Sequence, residues 1–267
     1  MFYNEFSPVP ALQPFIECIW SISSNGLSAP ADAGTVMPDG AVELVLNFGE
    51  IIERKQDFDR SPISLRHMIV GQMDRCAHLN YKGAVDLLGV RFHPAGAFPF
   101  FNVPLNEYSG RILHLDDLAR HLERQIENRI DPKWSTQLRI AELQRILIET
   151  LRYNPVRDHT VELAVRVIQR AYGQISISTL LSEIGVSKRH LERKFQQAVG
   201  LSPKLLCRIL RFRRAWEKID EPGPRDWADL ALSLGYYDQS HLIRDFNQFA
   251  GAPPVRLLSP HEAKSES

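Results

Sequence analysis

Between residues 188 and 214 nine basic side chains (Lys188, Arg189, Arg193, Lys194, Lys204, Arg208, Arg211, Arg213 and Arg214) meet a single acid, Glu192. Guanidinium forks match the O6/N7 edge of guanine, and ammonium groups neutralise phosphates, so a field of this kind suits a polyanion. The imbalance is local. The whole chain of 267 residues has a net charge of zero, with residues 1–155 at −4 and residues 156–267 at +4. A solvated basic helix face would look the same in composition, so spacing has to separate the two.

The spacing is that of a repeat. Leu191-Glu-Arg-Lys-Phe195-Gln-Gln-Ala-Val-Gly200-Leu-Ser-Pro203 returns as Leu242-Ile-Arg-Asp-Phe246-Asn-Gln-Phe-Ala-Gly251-Ala-Pro-Pro254, with Leu, Arg, Phe, Gln, Gly and Pro in register. Leu and Phe four apart make one buried helical stripe, which turns Arg193 and Arg244 elsewhere. Gly200 and Gly251 suit a left-handed helix stop. Ahead of each copy the sequence predicts a short helix and a glycine turn: 178–184 with Gly185, and 227–234 with Gly235. Ser187 and Asp238 then stand as N-caps of the second helices. Helix, glycine turn and capped helix, twice, is a tandem helix-turn-helix, whose second helices can enter the major groove of DNA. Pro203 suits the first turn of a connecting helix running to Ile219, before Pro222. Its length of roughly 25 Å, with the turns, can set two reading helices about 34 Å apart, one turn of B-DNA.

Roles follow from residue type and position. Arg193 and Arg244 are the first candidates for direct base contact, with Arg189, Glu192, Gln239, Ser240 and His241 on the leading faces of the same helices. Ser187, Lys188, Lys194, Arg208, Arg211 and Arg214 are expected at phosphates, where they position without reading sequence. Trp216, Trp227, Phe195 and Phe246 are expected in the core.

These motifs resemble the AraC/XylS family of bacterial transcription regulators over residues 159–258. The resemblance is carried by Ser187–Phe195, Gly200–Pro203, Arg211–Ala215, Gly235–Phe246 and Gly251–Pro254. By position it implies base reading by Arg189, Glu192, Arg193, Gln239, Ser240, His241 and Arg244. Leu206 stands where the family usually has an aromatic, and Leu181 where a small residue is common. Met37–Gly49, Gly71-Gln72 and Gly89–Gly96 are similar to a sensor domain attached to such readers. Asp39, Glu43, Gln72, Arg91 and His93 are the effector-binding candidates in those segments. The family parallel implies double-stranded promoter DNA as partner, a small-molecule effector and a homodimer, and leaves RNA polymerase open as a further partner.

The elements that must position these residues divide into an α+β chain. Residues 1–112 are expected to form a β-rich domain, a cupin-like barrel or sandwich, from short apolar runs such as 41–48 and 85–92 between turn signals. The segment 93–102 reads as a capped loop or a short helix lining a pocket. Residues 113–155 are expected to be a helical linker with dimerisation as one role: Leu118, Leu122, Ile126 and Ile130, then Leu138, Leu143, Ile146, Leu147 and Leu151, ending at Asn154-Pro155. Residues 156–267 are the all-α reader.

Other classes fare worse. No run of 18 apolar residues suggests a membrane span, the N-terminus lacks the order of a secretory signal, and a cytoplasmic protein is expected. Cys18, Cys76 and Cys207 are odd in number and scattered, against a disulfide framework, a zinc cluster or an alkyltransferase. A metal-dependent cupin would need His67, His78 and His93 to gather with Asp39 and Glu43, yet no tight ligand spacing appears. A protein-interaction module on the same helices does not account for the exposed arginines. No cofactor and no catalytic residue is expected.

Overall fold

The computed structural model describes residues 1–28, 34–50, 52–55, 66–81, 83–153, 157–219 and 226–257. Asn154, Pro155 and Pro222, and the expected 155/156 boundary, lie outside the described residues, as does the side chain of His78.

The described residues up to 114 form nine strands: β1 Phe2–Phe6, β2 Ile16–Ser28, β3 Gly34–Val36, β4 Glu43–Asn47, β5 Ile52–Lys55, β6 His67–Val70, β7 Ala77–Tyr81, β8 Ala84–Phe92 and β9 Ile112–His114. Six make an antiparallel sheet in the order β1-β2-β8-β4-β6-β9, and three make a smaller one, β3-β7-β5. The two-residue period of a strand gives the large sheet two apolar faces. Leu44, Leu46, Ile69, Leu88, Val90 and Phe92 share one core with helices, while Cys18, Trp20, Val45, Met68, Val85 and Leu87 cluster separately. Trp20 pairs with Gly89 across β2 and β8. A Cβ at Gly89 would lie 2.0 Å from the Trp20 ring, so the indole can lie against the sheet only because position 89 has no side chain.

Of the two readings of 93–102, a capped loop or a short helix lining a pocket, the helix is present, and it does not line the cavity described below. Phe98–Phe101 is a short helix, α1, whose Phe100 and Phe101 rings pack on Phe92 in the core. Two longer helices follow, α2 Leu115–Arg129 and α3 Thr136–Tyr153, with a break in α2 at Ala119. They are not a free-standing linker: Leu115, Leu122, Ile126, Leu143, Ile146 and Leu147 belong to the same core as the sheet. The buried stripe of α3 also differs from the expected one. Leu138 is exposed, and Arg139 turns inward instead, with two hydrogen bonds to Asp86 and its guanidinium over the Phe48 ring.

The last third is helical: α4 His159–Arg170, α5 Ile177–Ile184, α6 Lys188–Val199, α7 Pro203–Ile219, α8 Trp227–Ser233, α9 Gln239–Phe249 and α10 Pro254–Leu257. Phe212 of α7 contacts Phe246 and Phe249 at ring separations of 5.0 and 5.2 Å, which makes α7 the hub of this core. The two halves touch. Gly40, at φ +81, approaches Leu206 so closely that a Cβ would stand 2.8 Å from Leu206 Cδ1, and the Ser109 hydroxyl donates to the Gly200 carbonyl at 2.6 Å. Leu206 thus packs where the glycine arrives.

Candidate nucleic-acid interface and effector cavity

Each reading helix is started by its cap. Ser187 Oγ accepts from the His190 amide at 3.3 Å, and Asp238 Oδ1 from the His241 amide at 2.7 Å. Gly185 (φ +68) and Gly235 (φ +77) make the turns that carry α5 into α6 and α8 into α9, in conformations that favour glycine. Leu191 and Phe195 are buried on α6, as are Leu242 and Phe246 on α9. The helical period then leaves Arg189, Glu192 and Arg193 exposed on α6 and Gln239, Ser240 and Arg244 on α9. His241 is half-buried edge-on to Tyr236, and burial pulls its pKa down. Tyr237 escaped the sequence reading. It is 86% exposed in the turn before the Asp238 cap, and its only sequence signal is an aromatic side chain in a polar turn.

Among the residues expected at phosphates, the structure separates the exposed from the committed. Ser187 and Lys188 are exposed on the leading turn of α6. Four others have partners inside the fold. Arg208 donates twice to Oδ1 of the fully buried Asp245, at 2.6 and 3.1 Å, and also reaches Gln248, tying α7 to α9. Arg211 donates to the Gly235 carbonyl and lies over the Tyr236 ring. Arg214 lies over Tyr172 at 4.4 Å, and Lys194 bonds Asp158 at 2.6 Å. Those partners come from remote segments, so spacing along the helix does not disclose them.

The second feature is a cavity of about 420 Å³ bounded by both sheets and by α7. Tyr3, Trp20, Val45 and Met68 line it from the large sheet, Val36 and Ala77 from the small one, and Phe212, Arg213, Trp216 and Glu217 from α7. Three of the five effector candidates, Asp39, Glu43 and Arg91, meet here. Gln72 does not: it is buried, with its amide donating to the Gly40 carbonyl. Nor does His93 line the cavity. Trp216, expected in the core, is half-buried: it packs against the core rings of Phe212 and Phe246 and also lines the cavity. Nothing in the helical pattern of α7 announced the roles of Arg213, Trp216 and Glu217, because the wall exists only where the sheet meets the helix.

Arg91 Nε reaches Glu43 at 2.9 Å and Asp39 at 3.4 Å, and its Nη1 reaches Glu5 at 3.6 Å. Trp20 Nε1 also donates to Glu43, at 3.2 Å. Burial pushes the Glu43 carboxyl up to about 7, with the Asp39 charge adding to it, and burial likewise raises Asp39. Burial opposes the charge on Arg91, but Glu43 and Asp39 outweigh it and hold the guanidinium above its usual range.

The metal-binding arrangement weighed above is split by the sheet. Asp39 and Glu43 face the cavity and are engaged by Arg91, whereas His67 is buried toward the helices and bonds Glu123 at 2.9 Å, near Glu127. Cys18 and Cys207 are buried, and burial raises both thiols to about 11, far from nucleophilic.

A family described as "Helix-turn-helix domain" matches residues 180–259, a span that takes in both units and the connector between them. Residues 180–259 of the chain are thus a helix-turn-helix domain. A second family, described as "Domain of unknown function (DUF6597)", covers residues 4–114 of the chain, from within β1 to the end of β9. No curated protein matches it. Among solved structures, apo ToxT K231A from Vibrio cholerae is 8% identical over 96% of this chain and 95% of that one, with a TM-score of 0.42. ToxT from the same strain with a bound unsaturated fatty acid is 10% identical over 89% and 94%, also at 0.42. The AraC-like transcriptional activator CuxR is 13% identical over 81% and 94%, at 0.27. The helix-turn-helix assignment rests on residues 180–259 and their two capped units rather than on these distant likenesses. No helix among the described residues is long and apolar enough to cross a membrane.

Proposed function

We propose that this DNA-binding regulator reads promoter DNA with Arg189, Glu192 and Arg193 of α6 and with Gln239, Ser240, His241 and Arg244 of α9, and that a small-molecule effector in the cavity controls it. The observation carrying this reading is the double role of α7. It connects the two helix-turn-helix units, and its Phe212, Arg213, Trp216 and Glu217 close the cavity. A ligand seated there touches the connector directly. If it binds the docked and undocked arrangements unequally, it shifts their populations and so the presentation of the reading helices. Residues 1–155 then act as sensor and 156–267 as reader, in a non-enzymatic cytoplasmic protein. Pairing of two protomers, and contact with RNA polymerase, belong to the same proposal.

Exposure and chemistry support Arg193 and Arg244 as the principal base contacts, because an exposed guanidinium fork on a reading helix can address guanine, and Arg244 commits only its Nε, to the Ser240 carbonyl at 3.3 Å. Arg193→Ala or Arg244→Ala is expected to cost about 1–3 kcal/mol on the cognate site and to relax preference at one base pair. Selection from random DNA followed by competition gel shifts measures both. A sequence preference that survives both substitutions would remove the assignment.

A further inference from the structure

The cavity described above has a charge arrangement opposite to that of an anion site. Its wall carries Asp39, Glu43 and Glu217 against Arg91 and Arg213. Both guanidiniums are already occupied. Arg91 is shared by Glu43, Asp39 and Glu5, and Arg213 lies 3.4 Å from Glu17 and 3.6 Å from Glu217. Among the described residues, five carboxylates therefore share two guanidiniums. An anionic ligand would have to displace a carboxylate from an arginine and leave that carboxylate in a low-polarity wall, a costly exchange. A cation instead meets the surplus charge. The remaining surface is apolar and aromatic, with Trp20, Tyr3, Trp216 and Phe212 offering ring faces of the kind that attract cations.

Resting on the reading of the cavity as the effector site, we propose that its ligand is an apolar organic cation, a protonated or quaternary amine on a flat hydrocarbon body. The ammonium group sits against Glu43 and Asp39, and the hydrocarbon lies between the Trp20 and Trp216 rings. Glu43 is only 13% exposed, so a second positive group beside it offsets the cost of burying its charge together with that of Asp39.

A dependence on pH follows. The charged and titratable groups around Glu43 are Asp39 from the preceding loop, Arg91 on β8, Tyr3 and Glu5 on β1, Glu17 and Cys18 on β2, and Arg213 and Glu217 on α7. Burial keeps the Tyr3 hydroxyl and the Cys18 thiol neutral well above pH 8, and Glu43 and Asp39 keep Arg91 charged. Glu43, whose carboxyl burial lifts to about 7, and Asp39, which burial also raises, are thus the pair whose ionisation switches the site on as pH rises. Cation binding expels the pair's proton.

Three ligands of similar size that are cationic, neutral and anionic test the proposal on the full chain: 1-naphthylmethylammonium, 1-naphthylmethanol and 1-naphthoate, titrated by calorimetry and by quenching of tryptophan emission, with an unsaturated fatty acid as a fourth arm. The ammonium compound is expected to bind at least ten-fold more tightly than the other three at pH 8, and to weaken by about ten-fold at pH 6 as Glu43 takes up its proton. Glu43→Gln should abolish both the selectivity and the pH dependence, with far-UV circular dichroism confirming its fold. Tighter or equal binding of the naphthoate or the fatty acid would overturn the cation assignment and leave the cavity as an effector site. Binding by none of the four would overturn both. Gel shifts with promoter DNA in the same samples report the reader independently of either result.

Discussion

Arg208 offers a sharp test because two roles for it predict opposite measurements. As a phosphate contact, its loss would weaken DNA binding evenly across sequences and lower the salt dependence by about one counterion. The structure gives it a different task. Asp245 is fully buried, and two guanidinium nitrogens of Arg208, itself 25% exposed, donate to its Oδ1 at 2.6 and 3.1 Å. Its other oxygen, Oδ2, is buried with no close hydrogen-bond partner among the described residues, and the Tyr236 phenol interacts with the same carboxylate. At an effective dielectric of about 20, unit charges roughly 4 Å apart attract by about 4 kcal/mol. Removing one partner of such a pair leaves an uncompensated buried charge, at a cost of about 3–5 kcal/mol. Arg208→Met keeps the aliphatic stem and removes only the charge and its donors. The second unit should then unfold at distinctly lower urea, followed by tryptophan fluorescence, and Asp245→Asn added to Arg208→Met should recover about half of the loss because the orphaned charge is gone. An unchanged unfolding midpoint, with a salt slope reduced by about one, would refute this reasoning and restore Arg208 to the phosphate contacts.

The remaining predictions concern the caps, the leading turn and the cavity. Ser187→Ala and Asp238→Ala each remove an acceptor from the first turn of a reading helix and should cost about 1 kcal/mol of stability, measured by thermal melts, with Gly at the same positions costing less. Lys188→Ala should weaken binding uniformly across sequences and lower the salt slope by about one, in gel shifts over a salt series. Glu43 has its carboxyl raised from 4.5 to about 7 in the folded chain. The folded state therefore holds that proton more tightly than the unfolded one, and the resulting stabilisation, at most about 3 kcal/mol, is present below about pH 4.5 and lost as pH rises through about 7. Glu43→Gln removes this loss, so its melting temperature should exceed that of the parent protein at pH 8 and approach it at pH 5. Equal differences at both values would show that Glu43 does not titrate in this range.

The reader was legible because its determinants are local. Cap hydroxyls and carboxylates, glycine turns, a Leu–Phe stripe and a proline at the first turn of α7 each act within a few residues, and a duplicated copy made chance an unlikely source. The strands 43–47 and 84–92 were legible for the same reason, as short apolar runs between turns. What the sequence alone did not determine was every pairing made across the chain. Asp245 sits where the first unit has Lys194, and nothing in that substitution says that Arg208, 37 positions earlier, will spend its charge on it. The helices at 115–153 showed their amphipathic period, but only tertiary packing decided that the sheet, rather than another protomer, covers that face. The cavity is the extreme case: Trp20, Glu43, Arg91 and Trp216 come from β2, β4, β8 and α7, and its shape depends on the docking of the two halves, a property of three-dimensional packing that no local pattern encodes.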